Sequence, residues 1–231
     1  NKARSIEELV HIFQDAIRQH GLDRMHFCLL SDHNNIGLKA GVGFIENYPE
    51  DWMRYYFQQG LDKVDPVISY AYQKGNTFQW KEIEERLKLT SPQRYCLNAG
   101  REAGLYHGIG APLFGPYRFA GFGLASSEYK DSFDGNIDMI SSYCTHYYTA
   151  FQRLYYTQEQ ISQWQNIYLT PREREVLTWV ARGKSSTDIA DIIYISTDGV
   201  THHLRNIYEK LDTNNRTVAA CKAITYGLIT P

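Results

Sequence analysis

The first twenty residues place apolar side chains with the spacing of an amphipathic helix. Apolar residues recur at three- and four-residue steps, at Ile6, Leu9, Val10, Phe13, Ala16 and Ile17. Ser5 is suited to cap the helix, and Glu8 lies three residues later, where a capping-box partner belongs. The pattern predicts a helix over residues 5–20.

The pattern then changes to short apolar runs typical of β-strands. Residues 25–30 and 38–44 are such runs, and the turn-forming sequence between them predicts a hairpin. A second pair is joined by the turn sequence Gly115-Pro116-Tyr117-Arg118 and covers residues 107–114 and 119–125. Helices are predicted over residues 50–58, 66–73, 91–102 and 135–163. This order predicts an α+β fold, an α-β-α sandwich with an antiparallel sheet.

The sequence becomes polar around residues 164–168, and its pattern is helical from there to the end. Thr170, Pro171 and Glu173 form a helix start with an N-cap, a proline at the first position and a capping-box partner. Two further amphipathic segments, separated by a tight turn, predict a helix-turn-helix. We therefore predict an N-terminal domain over residues 1–163, a linker over 164–168 and a small all-α domain over 169–231.

The second helix of this motif presents small, polar and basic side chains near its N-terminal half, where a recognition helix meets base edges. Thr201, His202 and Arg205 are the candidates for base contacts. Flanking residues could reach phosphates through charge or hydroxyl groups, and these are Lys184, Ser185, Ser186, Thr197, Asn215 and Arg216. The pattern predicts DNA binding, although a plain helical bundle would share the same apolar positions.

The composition of the chain excludes a disordered, a collagen-like or a coiled-coil protein. The 231 residues include 43% hydrophobic and 22% charged residues, and the net charge of −2 gives no general affinity for nucleic acid. No apolar run is long enough for a membrane span or a signal peptide. The four widely spaced cysteines form no Cys-x-x-Cys pair. We expect a cytoplasmic protein without a metal or cofactor.

The aromatic content of 14% suits an amphipathic ligand pocket, whereas no catalytic motif is present. There is no Gly-x-Ser-x-Gly, no His-Glu-x-x-His, no P-loop and no complete Gly-x-Gly-x-x-Gly. His202 and His203 are adjacent on the predicted helix and point to different faces, which makes them a poor metal pair. We therefore predict that the protein is not an enzyme.

The C-terminal segment contains a distinctive set of residues, namely 169–177, Gly183-Lys184-Ser185, Ile189-Ala190, Ser196, Val200, His203-Leu204, Asn206-Ile207, Lys210-Leu211, Asn215-Arg216, Ala219-Ala220 and Gly227-Leu228-Ile229. With these residues it resembles the DNA-binding domain of LuxR-type regulators. Phosphorylation-gated response regulators carry the same domain, so the C-terminal domain alone does not identify the signal that the protein senses. A receiver domain, however, would need alternating strands and helices, whereas this chain opens with a helix and its strands come in pairs.

The N-terminal part contains a second distinctive set of residues, namely Asn47-Tyr48-Pro49-Glu50-Asp51-Trp52, Tyr56, Val64-Asp65-Pro66, Trp80 and Gly108. With these residues it resembles the autoinducer-binding domain of quorum-sensing regulators. With the tail, the likeness spans nearly the whole chain. It implies a transcriptional regulator that binds an N-acyl homoserine lactone and, as a homodimer, a palindromic promoter site.

Such a ligand has a ring carbonyl, an amide N–H, an amide carbonyl and an apolar tail, so its pocket needs two donors and an acceptor. The resemblance implies that Trp52 donates to the lactone carbonyl, Asp65 accepts the amide N–H and Tyr48 donates to the acyl carbonyl. Tyr56 and Trp80 then wall the pocket. Asp65 precedes a proline and could also cap a helix.

Two positions depart from the family pattern. Leu124 stands where many relatives hold Ser or Thr, so a hydrogen bond to the amide region is absent or comes from Ser126. Val67 likewise offers no hydroxyl. Gly121 and Gly123 either make room for the tail or weaken the strand. A receptor for a non-lactone signal, or a regulator that works without ligand, remains an alternative.

Overall fold

The computed structural model describes residues 3–31, 33, 38, 40–41, 45–115, 118–129, 133, 135–155 and 167–230. The chain forms two compact units. The first contains residues 1–114 and 119–156, and the second contains residues 115–118 and 157–231. None of the described helices is both long enough and apolar enough to cross a membrane.

A five-stranded sheet is the centre of the first unit. Its strands are β1 (Arg24–Leu29), β2 (Ile45–Glu46), β3 (Phe78–Gln79), β4 (Tyr106–Gly115) and β5 (Arg118–Ser126), in the spatial order β2-β1-β5-β4-β3. β1 pairs antiparallel with β2 and β5, and β3 pairs antiparallel with β4. The register between β1 and β5 sets Met25 opposite Leu124 and Phe27 opposite Phe122.

Helices cover both faces of this sheet. They are α1 (Ile6–Arg18), α2 (Glu50–Gln58), α3 (Pro66–Lys74), α4 (Lys81–Arg86), α5 (Ser91–Glu102) and α6 (Ile137–Tyr155), with a 3-10 turn at Leu61–Lys63. α1 and α6 share an apolar core with one sheet face, in which Phe13, Phe27, Tyr147 and Phe151 are buried. α2, α3 and α5 contribute to the apolar clusters on the other face. The predicted α+β sandwich is confirmed.

Alternation along β5 separates these two cores. Ala120, Phe122 and Leu124 belong to the core that α1 and α6 cover. Ala125 belongs to the opposite cluster, together with Trp52. Since neighbouring side chains of a strand point to opposite faces, the odd-numbered residues of β5 face α2, α3 and α5.

The second unit consists of four short helices around one apolar core. These are α7 (Pro171–Ala181), α8 (Ser186–Ile193), α9 (Thr197–Lys210) and α10 (Arg216–Thr225). Thr170 and Glu173 form the predicted capping box at the start of α7. Glu173 is only 2% exposed and accepts a hydrogen bond from Lys210 Nζ at 2.6 Å. This bond ties α7 to α9.

The structure agrees only in part with two local predictions, the capping box of α1 and the first strand pair. Ser5 caps α1 as predicted, but the Glu8 carboxylate accepts from Arg4 N rather than from Ser5 N. β1 pairs with Ile45–Glu46, and of the predicted strand 38–44 the described part shows Gly41 N donating to Leu29 O of β1 at 3.1 Å and Leu38 bridging His33. Residues 39 and 42–44, 116–117, 156–163 and the linker residues 164–166 lie outside the described residues.

Candidate ligand cavity and nucleic-acid interface

A cavity of about 120 Å³ lies in the first unit, against the sheet face that α2, α3 and α5 cover. The sheet contributes His26 and Cys28 from β1 and Gly121 and Gly123 from β5. The helical side contributes Trp52, Met53, Tyr56, Val67, Ile68, Ala71, Cys96, Leu97 and Gly100. The other lining residues are Leu30, Tyr48, Asp65, Trp80, Leu105, Gly110, Ala111, Pro112 and Phe122. The lining is apolar apart from a few polar side chains, as in most small-molecule sites.

Asp65 is held by two hydrogen bonds. It caps α3, and its Oδ1 accepts from Val67 N at 2.7 Å, while its Oδ2 accepts from the Tyr56 hydroxyl at 2.7 Å. Burial raises the pKa of Asp65, and the bonds from Tyr56 and Val67 and the charge of His26 act in the opposite direction. Because each carboxylate oxygen can accept more than one hydrogen bond, Asp65 keeps capacity for a ligand N–H.

Tyr56 and Trp52 form the aromatic wall beside this carboxyl. Their ring centroids are 5.6 Å apart, and Trp52 is 8% exposed. Burial and the neighbouring Asp65 raise the pKa of the Tyr56 hydroxyl. That hydroxyl therefore stays protonated and serves Asp65 as a donor.

Two glycines let aromatic side chains approach the sheet closely. A Cβ on Gly123 would lie 2.8 Å from Tyr48 Oη, and a Cβ on Gly108 would lie 2.2 Å from the Trp80 ring. Trp80 N also donates to Gly108 O at 2.8 Å. Both glycines are therefore required for the observed positions of Tyr48 and Trp80.

In the second unit, α8 and α9 form a helix-turn-helix. Ser185 and Ser196 cap the two helices, and Tyr194 in the turn adopts the left-handed region with φ 57°. Val200, Leu204 and Ile207 of α9 point into the core. The predicted base-contacting residues lie together on its exposed face and are Thr201, His202 and Arg205.

The six predicted phosphate contacts lie at or next to the starts of α8, α9 and α10. Arg216 donates to Ser186 Oγ at 3.1 Å and to Lys184 O at 2.5 Å, which brings these residues together at the start of α8. The side chains of Ser185 and Asn215 cap α8 and α10. Thr197 is the first residue of α9, and its carbonyl accepts from the Thr201 hydroxyl at 3.0 Å.

Comparison with known proteins agrees with both halves of this geometry. Residues 5–151 match the family described as "Autoinducer binding domain", and residues 168–223 match "Bacterial regulatory proteins, luxR family". The transcriptional activator protein LuxR of Aliivibrio fischeri is 32% identical over 207 residues, which cover 88% of this chain and 80% of that protein.

The chain belongs to the LuxR family.

A second LuxR-type relative is the putative HTH-type transcriptional regulator y4qH of Sinorhizobium fredii, 32% identical over 204 residues. The match covers 87% of this chain but only 61% of that protein, so the chain spans less than two thirds of its length. The crystal structure of Escherichia coli SdiA superposes with a TM-score of 0.64 at 26% identity, covering 100% of this chain and 94% of that one. This LuxR-type chain is an autoinducer-responsive transcriptional regulator and not an enzyme.

The cavity of this LuxR-type protein brings together most of the residues predicted from the sequence. Of that set, the cavity is lined by Tyr48, Trp52, Tyr56, Asp65, Val67 and Trp80. Val67 contributes a side-chain wall, while its backbone N–H is used by Asp65. Gly108 does not line the cavity, and the Trp80 ring packs directly against it.

Leu124 and Ser126, predicted as ligand-binding residues, do not line this cavity. Leu124 is fully buried in the core beneath α1 and α6. Ser126 Oγ accepts from Glu128 N at 3.1 Å. The reason is the alternation of β5, in which Gly121 and Gly123 face the cavity while the side chains of Phe122 and Leu124 pack in the core beneath α1 and α6.

His26 and Cys28 are cavity residues that the sequence analysis missed. They alternate along β1 with Met25, Phe27 and Leu29, which are buried on the other face. His26 lies beside Tyr48, with ring centroids 5.6 Å apart. The two-residue period of β1 was the signal that could have identified both.

Proposed function

We propose that this LuxR-type regulator binds an N-acyl homoserine lactone in the cavity and, as a homodimer, binds a palindromic promoter site. The observation that carries the proposal is the convergence of Trp52, Asp65 and Tyr48 on one largely apolar cavity. Asp65 is fixed there by Tyr56 at 2.7 Å. Small-molecule sites combine apolar walls with a few placed polar groups in this way.

The three side chains match the three polar groups of the ligand. Trp52 donates its indole N–H to the lactone carbonyl, Asp65 accepts the amide N–H, and Tyr48 donates its phenol to the acyl carbonyl. Gly121 and Gly123 line the sheet side of the cavity without side chains. No group of three or more His, Cys, Asp or Glu within the described ranges could hold a metal ion, and the proposal uses none.

DNA binding is proposed to require two copies of the chain. One recognition helix offers few base contacts, here Thr201, His202 and Arg205, and two-fold symmetry doubles them on a palindromic site. Lys184 and Arg216 lie near the start of α8 and are proposed to contact phosphates. We place the protein in the cytoplasm, where both DNA and a diffusing lactone are present.

The phosphorylation-gated alternative is disfavoured by the first unit. A receiver domain would alternate strands and helices in a parallel sheet, whereas the strands of this unit pair antiparallel for β1 with β2 and β5 and for β3 with β4. A non-lactone signal and a ligand-independent regulator share the proposed fold, so an experiment on the ligand separates them from the proposal.

The test is to express the protein with and without a series of acyl homoserine lactones and to analyse organic extracts of the purified protein by mass spectrometry. A lactone should be recovered in about equimolar amount and should raise the thermal midpoint, because a ligand that binds only the folded state adds about 2.7 kcal/mol at a hundredfold excess over Kd. Recovery of a different compound, or tight DNA binding by ligand-free protein, would refute the proposal.

Asp65→Asn sharpens this test. Asparagine can still cap α3 through its oxygen, but it loses the negative charge that accepts the ligand amide. We expect lactone affinity to fall by about tenfold or more, the value of one hydrogen bond to a charged group. Asp62→Asn is the matched control, because Asp62 is exposed on the neighbouring 3-10 turn. Equal affinities of the two variants would contradict the role of Asp65.

A further inference from the structure

The first unit contains a second cavity, which is larger than the proposed lactone cavity. Its volume is about 280 Å³, against about 120 Å³ for the lactone cavity. It lies where the edge strand β3 meets α4, α5 and the start of β4. Trp80, Leu97 and Leu105 line both cavities and therefore lie between them. The three proposed lactone contacts line only the first cavity, so the second one has no part in that function.

The strand β4 is distorted where it borders the second cavity. His107 has a φ of 28°, a positive value that residues other than glycine rarely adopt. In a regular strand, neighbouring side chains point to opposite faces, yet Tyr106 and His107 both line this cavity. Backbone strain of this kind costs free energy and is concentrated at functional sites. The distortion therefore marks the second cavity as a candidate site.

Positive charge prevails in the wall of the second cavity. Arg101 of α5 forms an ion pair with Glu84 of α4 and donates to Asn98 Oδ1 at 3.0 Å. Arg101 has five N–H donors, so it keeps capacity for a ligand. Lys81 also lines the cavity, and its ammonium group has no hydrogen bond or ion pair with any described residue. Two cations thus face one carboxylate, and an anion is the ligand that this wall favours.

Aromatic and aliphatic side chains lie beside these cations. Trp80 and Tyr106 contribute rings to the cavity wall, and Leu97 and Leu105 contribute aliphatic side chains. The hydroxyl of Tyr106 has no hydrogen-bond partner among the described residues and can donate to a ligand oxygen. An apolar wall with a few placed polar groups is the usual composition of a small-molecule site. The matching ligand combines a negative charge with an apolar body.

We propose that the second cavity binds a small organic anion in which a carboxylate is attached to a flat apolar body. Lys81 and Arg101 bind the carboxylate, while Trp80, Leu97 and Leu105 contact the apolar body. The first unit then has places for two different small molecules, one on each side of Trp80. This inference does not depend on the proposed lactone binding.

The test compares benzoate with benzamide, which has nearly the same shape and no charge, in calorimetric titrations of the full-length protein. Benzoate should bind about tenfold more tightly, the value of one hydrogen bond to a charged group. Lys81→Met keeps the length of the side chain and removes its charge, so it should abolish this preference. Lys88→Met is the matched control and should retain the preference, because Lys88 is exposed like Lys81 and does not line the cavity. Equal binding of the two compounds, or a preference that survives Lys81→Met, overturns the inference.

A second measurement on the unaltered protein locates the bound anion. In ¹⁵N-labelled protein, benzoate should shift the backbone amide signals of Lys81, Tyr106 and His107. The signals of Cys28 and Val67, which line only the lactone cavity, should stay in place. Shifts at Cys28 and Val67 instead would show that benzoate enters the lactone cavity, and this result or an absence of binding at millimolar benzoate would overturn the inference. Neither result affects the proposed lactone binding, which the extraction experiment tests separately.

Discussion

Tyr56→Phe tests whether the Tyr56 hydroxyl holds Asp65 in its binding state. The variant removes one oxygen and nothing else from the cavity wall. In the folded protein this hydroxyl donates to Asp65 Oδ2 at 2.7 Å, and Val67 N supplies the other bond to the carboxyl. The substitution therefore leaves Asp65 buried with one of its two hydrogen bonds missing.

The expected loss of stability follows from the charge on the acceptor. A hydrogen bond to a charged group contributes about 1.5–3 kcal/mol, roughly twice a neutral one. For a chain of this size such a loss lowers the thermal midpoint by about 3–10 °C. Lactone affinity should fall as well, because Asp65 is less firmly positioned and less readily ionised when its partner is absent.

The pH dependence has a definite sign. Burial raises the pKa of Asp65 above its ordinary value of 3.8. The stability that this group contributes is therefore present below the ordinary pKa and is lost as pH rises through the folded-state pKa. Tyr56 favours the carboxylate and so limits this loss. Without the hydroxyl the pKa rises further. The destabilisation caused by Tyr56→Phe should therefore be larger at about pH 8 than at about pH 5.

Thermal denaturation and lactone titration of the ligand-free protein at both pH values would measure these effects. Tyr55→Phe is the matched control: Tyr55 is the adjacent residue on α2, is 36% exposed and pairs with the exposed Tyr95. It should change stability by less than about 0.5 kcal/mol. A Tyr56→Phe protein with the same midpoint as the parent at both pH values would show that Tyr56 does not support Asp65.

Three further predictions concern other parts of the molecule. Tyr147→Phe should leave stability unchanged or raise it by up to about 1 kcal/mol in denaturant unfolding, because its buried hydroxyl has no partner among the described residues. Lys210→Met should destabilise the second unit by about 1–3 kcal/mol, since it leaves Glu173 buried without its partner. Burial raises the pKa of Glu173, but the hydrogen bonds from Lys210 and Thr170 outweigh burial and keep this pKa below its ordinary value. The stability that these bonds provide is therefore lost as pH falls. Because Lys210→Met lacks one of the bonds, its stability should decrease less on acidification. Arg205→Ala should relax specificity at one position of each half-site, whereas Lys184→Ala should weaken all DNA sequences about equally and reduce the salt slope by about one unit.

Much of the fold could be predicted because local patterns agree with the final structure. The helix starts at Ser5 and Thr170 follow from capping chemistry, and both caps form. β3 and α4 were missed because Phe78–Gln79 is only two residues long and Lys81–Arg86 has one buried apolar residue. These elements exist through contacts with β4 and α3 rather than through a pattern of their own.

The lining of the cavity could be predicted only in part, and the residues of β5 show why. A shift of one residue turns every side chain of a strand to the other face. The resemblance to a family aligned Leu124 with a ligand contact, but the register with β1 sets it opposite Met25 in the core beneath α1 and α6. The sequence held a correcting signal, because Gly121 and Gly123 share one face of the strand and leave space there.

The alternation of side chains along β5 determines which of its residues can contact a ligand. The sheet side of the cavity receives Gly121 and Gly123 from β5, which have no side chains with which to form hydrogen bonds. A hydroxyl at position 124 would point away from the ligand, so the loss of Ser or Thr there does not weaken the case for a lactone. In the proposed function, polar recognition comes instead from Trp52, Asp65 and Tyr48, and His26 and Cys28 of β1 also line the cavity. An alanine at Gly123 would therefore act by displacing Tyr48 and not by any bond of its own, since its Cβ would lie 2.8 Å from the Tyr48 hydroxyl.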